Sequence, residues 1–178
     1  RIHMTTTISG SNGIVFPDLT ELSTSAKSVA IIADRKTAGT PGGTCTLGSW
    51  QTRDLNTEVI DVNGLVTLSS NQFTLQAGKY VVDWDAAAYT GVNQHVSRIY
   101  NITDTEIVSE SLVGRSVVNA STVYSRGRGY IDIASVKVFE LQHRTQASVT
   151  TYGFGLPTNP YFTVSYEQYS IVKITKVG

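Results

Sequence analysis

The sequence predicts an all-β domain, either a sandwich or a barrel. Short runs rich in β-branched residues recur along the chain, and no stretch has the apolar spacing of a helix. Within several runs apolar and polar residues alternate, and clusters of Gly, Asn, Asp, Pro and Ser separate the runs. Many short strands with turn residues between them are typical of these two architectures. A chain of 178 residues is long enough to bury one self-sufficient core, so we expect one main domain.

The predicted strands follow from these runs in chain order. The closing run shows the pattern best, because Ile171, Ile174 and Val177 are interleaved with Ser170, Lys173 and Thr175, an approximate period of two. Turn clusters lie at 39–43, 61–64 and 155–160, where Gly, Pro and Asn favour chain reversal. The predicted strands are 28–35, 64–68, 73–75, 79–88, 96–102, 105–113, 122–134, 136–142 and 164–177.

The charge and cysteine content exclude several classes of function. Fourteen basic residues balance fourteen acidic ones, and charged residues make up 16% of the chain, against roughly 25% in soluble domains. Proteins that bind nucleic acid or anionic membranes need a surplus of Lys and Arg, so we expect neither partner. No apolar run approaches a membrane span of about 18 residues, so we expect no membrane insertion. A single cysteine, Cys45, excludes an internal disulfide and a zinc site with paired cysteines.

The N-terminal residues differ in composition from the rest. Arg1-Ile2-His3-Met4 has the form of a cloning scar, so we expect no function of residues 1–4. Residues 5–27 are dominated by Thr, Ser and Gly with isolated apolar residues. Such a segment cannot form a core alone, and we therefore predict an extended connector from a longer, fibrous parent.

Two sets of motifs carry a family resemblance. The stretch Gly13-Ile-Val-Phe-Pro-Asp-Leu-Thr-Glu-Leu-Ser-Thr-Ser-Ala26 resembles the T-F-P-D-G-T-x-Q-x-T-A segment found ahead of the C-terminal head in phage tail-fibre and other virion proteins, with Leu19 in place of its Gly. Phe73-Thr-Leu-Gln-Ala-Gly-Lys-Tyr80 resembles the F-x-(V/L)-x-x-x-G-x-Y signature of C1q/TNF-like jelly rolls, with one residue fewer between Leu75 and Gly78. Residues 136–142 and 169–177 resemble the penultimate and closing strands of that family.

The resemblance implies an architecture and an assembly. It implies a C1q/TNF-like jelly-roll sandwich of about ten antiparallel strands over residues 28–178, assembled as a homotrimer around a threefold axis, with residues 5–27 as the connector to a fibre shaft. Such a trimer closes as a ring in which each surface patch faces a different patch. Burial between subunits would explain the scarcity of charged residues.

The residues of the Phe73–Tyr80 motif also have a physical interpretation of their own. Gly78 can adopt turn conformations without Cβ strain. Since Tyr80 begins the next strand, Phe73 and Tyr80 are expected to meet across a hairpin and to pack in the core.

The tripeptide Asp83-Trp84-Asp85 is the clearest chemical candidate. Residues two apart on a strand project from the same face, so the two carboxylates would lie together and Trp84 would point to the core. Paired carboxylates can bind Ca²⁺ or act as an acid and a base. The other interpretation is that Asp83 and Asp85 form ion pairs with Lys or Arg. The pattern is short, so we predict no metal site and no cofactor, with these two residues as the weak candidates.

Other polar residues have structural interpretations. His95 and His143 lie on different predicted strands without an acidic partner at metal-binding spacing, and we expect them at the surface or at a subunit interface. Arg115, Arg126 and Arg128 form the densest basic cluster, which we interpret as surface or interface pairing.

Loop residues offer the remaining binding surface. In an up-and-down sandwich whose chain enters and leaves at one end, the loops at 39–48, 90–95, 113–122 and 150–162 would lie at the far end. Aromatic rings beside Asn and Thr can form a platform for sugars, although the same rings could simply anchor the loop. The predicted receptor contacts are Asn93, Gln94, Arg115, Asn119, Tyr152, Phe154 and Tyr161.

The predicted function is a non-enzymatic virion protein. The chain would be the trimeric head of a distal phage tail fibre or spike, and it would bind a bacterial surface polysaccharide or outer-membrane receptor during host attachment. One alternative is a structural cap that trimerises the fibre without touching the host. Another is a small glycan-degrading enzyme that uses Asp83 and Asp85, but glycan-degrading tail spikes have a long repetitive β-helix that this sequence lacks.

Overall fold

The structure is a computed structural model that describes residues 7–9, 13–15 and 21–22 (backbone only), 28–116, 121–158 and 163–178. All regular secondary structure in these ranges is β-strand. The strands are β1 (Thr7–Ser9), β2 (Gly13–Val15), β3 (Glu21–Leu22), β4 (Val29–Thr37), β5 (Gln51–Thr52), β6 (Thr57–Asp61), β7 (Val66–Ser69), β8 (Gln72–Leu75), β9 (Gly78–Ala88), β10 (Asn93–Asn101), β11 (Glu106–Glu110), β12 (Gly114–Ser116), β13 (Val123–Ile133), β14 (Lys137–Thr145) and β15 (Tyr166–Lys176).

Two antiparallel sheets form a sandwich. The first sheet has the order β13-β9-β15-β4-β6, and the second has the order β11-β10-β14-β8-β7, with β12 paired to β10 and β5 paired to β14. Strands β1, β2 and β3 pair in a small separate sheet. Each of the nine predicted strands corresponds to an observed one, which confirms the all-β prediction. In the main domain, strands β5, β6 and β12 were not predicted.

Apolar residues from both sheets fill the space between them. The alternation of β4 turns Ala30 and Ile32 inward, and the rings of Phe73 and Phe139 stack with centroids 5.5 Å apart. Trp84 also points into the core as predicted, and its indole N–H donates to the hydroxyl of Ser97 at 2.9 Å. A buried indole needs such an acceptor, so Ser97 allows Trp84 to fill the core.

The expected hairpin between Phe73 and Tyr80 is wrong. Phe73 lies on β8, which pairs with β7 and β14, whereas Tyr80 lies on β9, which pairs with β13 and β15. The chain crosses from one sheet to the other between them, and the Tyr80 hydroxyl donates to the carbonyl of Gln76 at 2.8 Å. Both side chains are buried in the same core, so the predicted core role is confirmed.

The main domain begins and ends at the same end of the sandwich. Val29 of β4 is paired with Thr175 of β15, and the amide of Lys176 donates to the carbonyl of Ser28 at 2.9 Å. The opposite end of the sandwich therefore lies away from the point where the chain enters it. Among the described residues, no helix has the length and apolar character needed to span a bilayer.

Candidate functional site at the loop end

Four loops lie together at the end of the sandwich opposite Val29, which we call the loop end. Backbone bonds join the loops: Gly43 N donates to Thr151 O at 3.0 Å, and Tyr89 N donates to Gly153 O at 3.0 Å. The amide of Ser121 donates to the hydroxyl of Thr90 at 2.8 Å. The up-and-down strand order assumed from the sequence is wrong, because most neighbouring strands, such as β9 and β15 or β10 and β14, are not consecutive in the chain. The four loops nevertheless share one end.

A small apolar cluster supports these loops. Cys45, Ala88, Val92 and Phe154 are buried together, with Val149 packed against them. Cys45 is a free cysteine with no exposed surface, and its amide donates to Val149 O at 3.0 Å. Cys45 therefore has a packing role in this cluster. A rigid support of this kind fixes the loops that carry recognition residues.

A fully buried arginine ties the loop end to both sheets. The guanidinium of Arg53 donates to the carbonyl of Ala87 at 3.0 Å, of Tyr169 at 3.2 Å and of Phe154 at 3.3 Å. Its own amide donates to Leu141 O at 2.7 Å. Burial lowers the pKa of Arg53 to about 10, and the side chain remains charged at neutral pH. No local sequence pattern indicates this role, since Arg53 occupies an irregular segment.

The two histidines continue the polar contacts of Arg53 into the sandwich. Nδ1 of His143 lies 3.4 Å from Nη1 of Arg53, and arginine can only donate, so this nitrogen is an acceptor. Nε2 of His143 is then the protonated nitrogen, and it donates to Nδ1 of His95 at 3.0 Å. The expectation that these histidines lie at the surface is wrong, because both are buried.

Burial also determines the charge of the histidine pair. Desolvation, together with the nearby Arg53 charge, lowers the pKa of His95 to about 4. The same causes, together with His95, hold the pKa of His143 well below its usual value. Both imidazoles are therefore neutral at pH 7. A Cβ at Gly114 would overlap the His95 ring, so only glycine lets β12 lie against this pair.

Glu167 holds two of the loops together. Its carboxylate accepts hydrogen bonds from the amide of Gly39 at 3.0 Å, and from the amide and the hydroxyl of Thr158 at 2.9 and 2.8 Å. Burial alone would raise the pKa of Glu167, but these bonds to the ionised form lower it. The carboxylate thus fixes Gly39, in the loop after β4, against Thr158.

The predicted contacts divide into exposed, buried and undescribed residues. Asn93 and Gln94 begin β10 and are exposed, and Arg115 of β12 lies directly opposite Gln94 and is exposed. Tyr152 is 41% exposed. Phe154 is buried, and its ring stacks on His143 with centroids 5.3 Å apart, so it supports the loop from below. The remaining two predicted contacts, Asn119 and Tyr161, lie outside the described residues.

A cleft opens beside Gln94, on the outer face of the second sheet. Its volume is about 400 Å³, within the range of small-molecule sites, roughly 300–1,000 Å³. Its lining residues include Leu47, Gln94, Val96, Val113, Arg144 and Gln146. Arg144 and Gln146 were not predicted as contacts. The period-two pattern could have indicated them, because residues two apart at the end of β14 must share a face.

The Asp83 and Asp85 carboxylates share the outer face of the first sheet, as predicted. Asp85 forms an ion pair with Arg126 at 3.1 Å, and Asp83 forms one with Arg128. The structure therefore agrees with the interpretation in which Asp83 and Asp85 form ion pairs. In the part of the chain that the structure describes, no three His, Cys, Asp or Glu side chains come together as a possible metal site.

Comparison with known proteins identifies the fold through solved structures. No protein-family model matches the sequence, and no curated protein matches it. Murine APRIL at pH 5.0 superposes with a TM-score of 0.58 at 7% identity, covering 85% of this chain and 99% of that one. The globular domain of zebrafish complement 1qA superposes with a TM-score of 0.50 at 9% identity, covering 84% of this chain and 96% of that one. PRD1 vertex protein P5 gives a TM-score of 0.47 at 12% identity, with coverages of 85% and 97%.

These likenesses define the class of fold. The two antiparallel sheets of the main domain form a C1q/TNF-like jelly roll, which confirms the fold predicted from the motif at 73–80 and the closing strands. At such low identities the likeness shows the fold alone.

Proposed function

We propose that this chain is the non-enzymatic, trimeric head of a phage tail fibre or spike and that its loop end binds a bacterial surface glycan. The observation that carries the proposal is the position of the loops. Four of them lie at the end opposite the entry and exit of the chain, supported by the buried Arg53. In a head joined to a shaft through residues 5–27, this end faces away from the virion.

The outer face of the first sheet supports the trimer. Ile31 and Ile60 are paired on neighbouring strands, and Ile171 of β15, which is paired with Ala33, lies diagonally from Ile31. A depression of about 370 Å³ on this face is lined by Ile31, Ile171 and the ion-paired Asp85 and Arg126, among others. Apolar residues beside these ion-paired charges suit burial against another subunit. Lys173, which lines the same depression and forms no ion pair among the described residues, would need an acidic partner on that subunit.

The ion pairs also argue against the enzyme alternative. Acid–base catalysis needs a carboxyl group that is free to exchange a proton with the substrate, whereas Asp83 and Asp85 are each bound by an arginine. A reducing-sugar assay on bacterial polysaccharide tests this directly: release of sugar that is abolished in Asp83→Asn would overturn the non-enzymatic assignment.

Sedimentation equilibrium tests the assembly. The protein should sediment as a trimer at micromolar concentration, and Ile31→Glu should yield a monomer with an unchanged circular dichroism spectrum, because a charge would be placed in the interface. A stable monomer of the unaltered protein would contradict the proposed trimer.

Cell binding tests the receptor role. Fluorescently labelled trimer should bind susceptible bacteria and compete with phage adsorption, and alanine at Gln94, Arg115 or Tyr152 should weaken both effects. Lys79→Ala is the matched control, since Lys79 is an exposed residue at the opposite end, where its amide donates to Gly178 O. A trimer that binds no cells would instead support the structural cap.

A further inference from the structure

We propose that the cleft beside Gln94 binds an anionic sugar residue, whose carboxylate or phosphate is recognised by Arg144 and Arg115. The proposal rests on the glycan-binding function above and narrows it to a chemical class and a position. Arg144 lines the cleft itself, and the strand register places Arg115 next to it, on the other strand that flanks β10. Arg115 is paired with Gln94, and Arg144 is paired with Val96, two residues further along β10.

Both arginines lack an acidic partner in the described ranges. Six ion pairs are found among those residues, and neither Arg115 nor Arg144 takes part in one. The neighbouring Arg98 is already engaged. Its guanidinium lies 4.0 Å from the ring centroid of Trp50, and it donates to Gln142 at 2.7 Å. Of these three neighbouring arginines, Arg115 and Arg144 are therefore the two whose charge is free to meet a ligand.

The amide groups add hydrogen-bond donors to this positive charge. The side-chain oxygen of Gln146 accepts from the backbone amide of Gln94 at 3.3 Å, which leaves the Gln146 NH₂ group to donate elsewhere. Guanidinium groups also donate and cannot accept. A cleft whose polar groups are mostly donors, at least one of them charged, favours a ligand rich in acceptor oxygens that carries negative charge.

The apolar rim favours a sugar over a simple anion. Leu47 is 60% exposed and Val113 is 68% exposed, and both line the cleft together with Val96. Such side chains can cover the C–H face of a sugar ring while the hydroxyl groups meet the glutamine amides. An inorganic anion would use the arginines and leave this apolar surface unused.

Saturation-transfer NMR titrations of the whole protein test the proposal. The probes are glucuronic acid, glucose 6-phosphate and glucose, so that a carboxylate, a phosphate and a neutral sugar are compared. One of the anionic sugars should bind more tightly than glucose, and its affinity should fall as NaCl is added. Arg144→Gln should weaken that binding by about tenfold to a hundredfold, the range for a hydrogen bond to a charged group, and Arg115→Gln should also weaken it.

Lys79→Gln is the matched control, because it removes one positive charge at the end of the sandwich opposite the cleft. The proposal is overturned if glucose binds as well as both anionic sugars, or if Arg144→Gln behaves like the control. If the anionic-sugar proposal fails in either way but the unaltered trimer still binds bacteria, the proposed receptor role remains supported. If the anionic sugars bind through Arg144 while no bacteria are bound, the cleft assignment holds and the receptor role fails.

Discussion

Arg53 is the residue on which the architecture of the loop end most depends. Its guanidinium satisfies the carbonyls of Ala87, Phe154 and Tyr169, and it lies 4.2 Å from the centroid of the Phe154 ring. Arg53→Met would fill similar volume but leave these buried carbonyls without donors. We expect the free energy of unfolding in urea to fall by about 3 kcal/mol or more, because each buried carbonyl left without a donor costs about 1–3 kcal/mol.

Arg98→Met is the control for that experiment. Arg98 is also stacked on an aromatic ring, but it lies at the outer surface and donates to a side chain, that of Gln142. Its replacement should cost less than about 1.5 kcal/mol. Equal losses in the two variants would show that the buried carbonyls do not depend on Arg53.

At the scale of single elements, β12 can pack against β10 only because Gly114 has no side chain. Gly114 is paired with His95, and a Cβ at position 114 would overlap the imidazole. Gly114→Ala should therefore displace β12 from β10 and destabilise the protein by about 1–3 kcal/mol, as overpacking commonly does. Hydrogen exchange at the amides of β12 should show the displacement directly.

A double-mutant cycle separates this clash from other effects of alanine. In a His95→Ala background the ring is gone, so Gly114→Ala should then cost little, and the two changes should couple by at least about 1 kcal/mol. Additive losses would contradict the packing of Gly114 on His95.

The elements also show what local sequence can and cannot predict. Alternation and turn residues located the long strands, because each of them buries one face. Strands β5 and β12 have two and three residues, too few for a periodic signal. The sheet in which each strand lies depends on pairing between distant segments, which is why Phe73 and Tyr80 were misplaced.

Part of the candidate site could also be predicted from the sequence, and part of it could not. Gln94 and Arg115 were identified from their loops, and the register places them side by side. Arg144 was missed because its predicted strand ended at residue 142, so a cleft residue fell outside the loops considered. The burial of His95 and His143 could not be foreseen, because their partner Arg53 is 90 residues from His143 in sequence.

For the molecule as a whole, the buried histidines make stability depend on pH. In the unfolded chain a histidine takes up a proton near pH 6.5, whereas in the folded protein the pKa of His95 is about 4 and that of His143 is also lowered. Between these values the unfolded state binds more protons than the folded state. The free energy of unfolding should therefore fall as the pH is lowered from about 6.5 towards 4, by at most about 1.4 kcal/mol per pH unit for each histidine.

The Asp34 carboxyl opposes this loss of stability over the lower part of the pH range. Burial raises the pKa of Asp34, so the folded state takes up that proton first. The effect of this one carboxyl is smaller than that of the two histidines.

Urea unfolding at fixed protein concentration, repeated from pH 7 to pH 4.5, should show a net loss of stability. His143→Gln can still accept from Arg53 and donate to His95 without titrating, and it should flatten the profile. A profile that is level in the unaltered protein, or equally steep in the variant, would contradict the assignment of the histidine pair as neutral and buried.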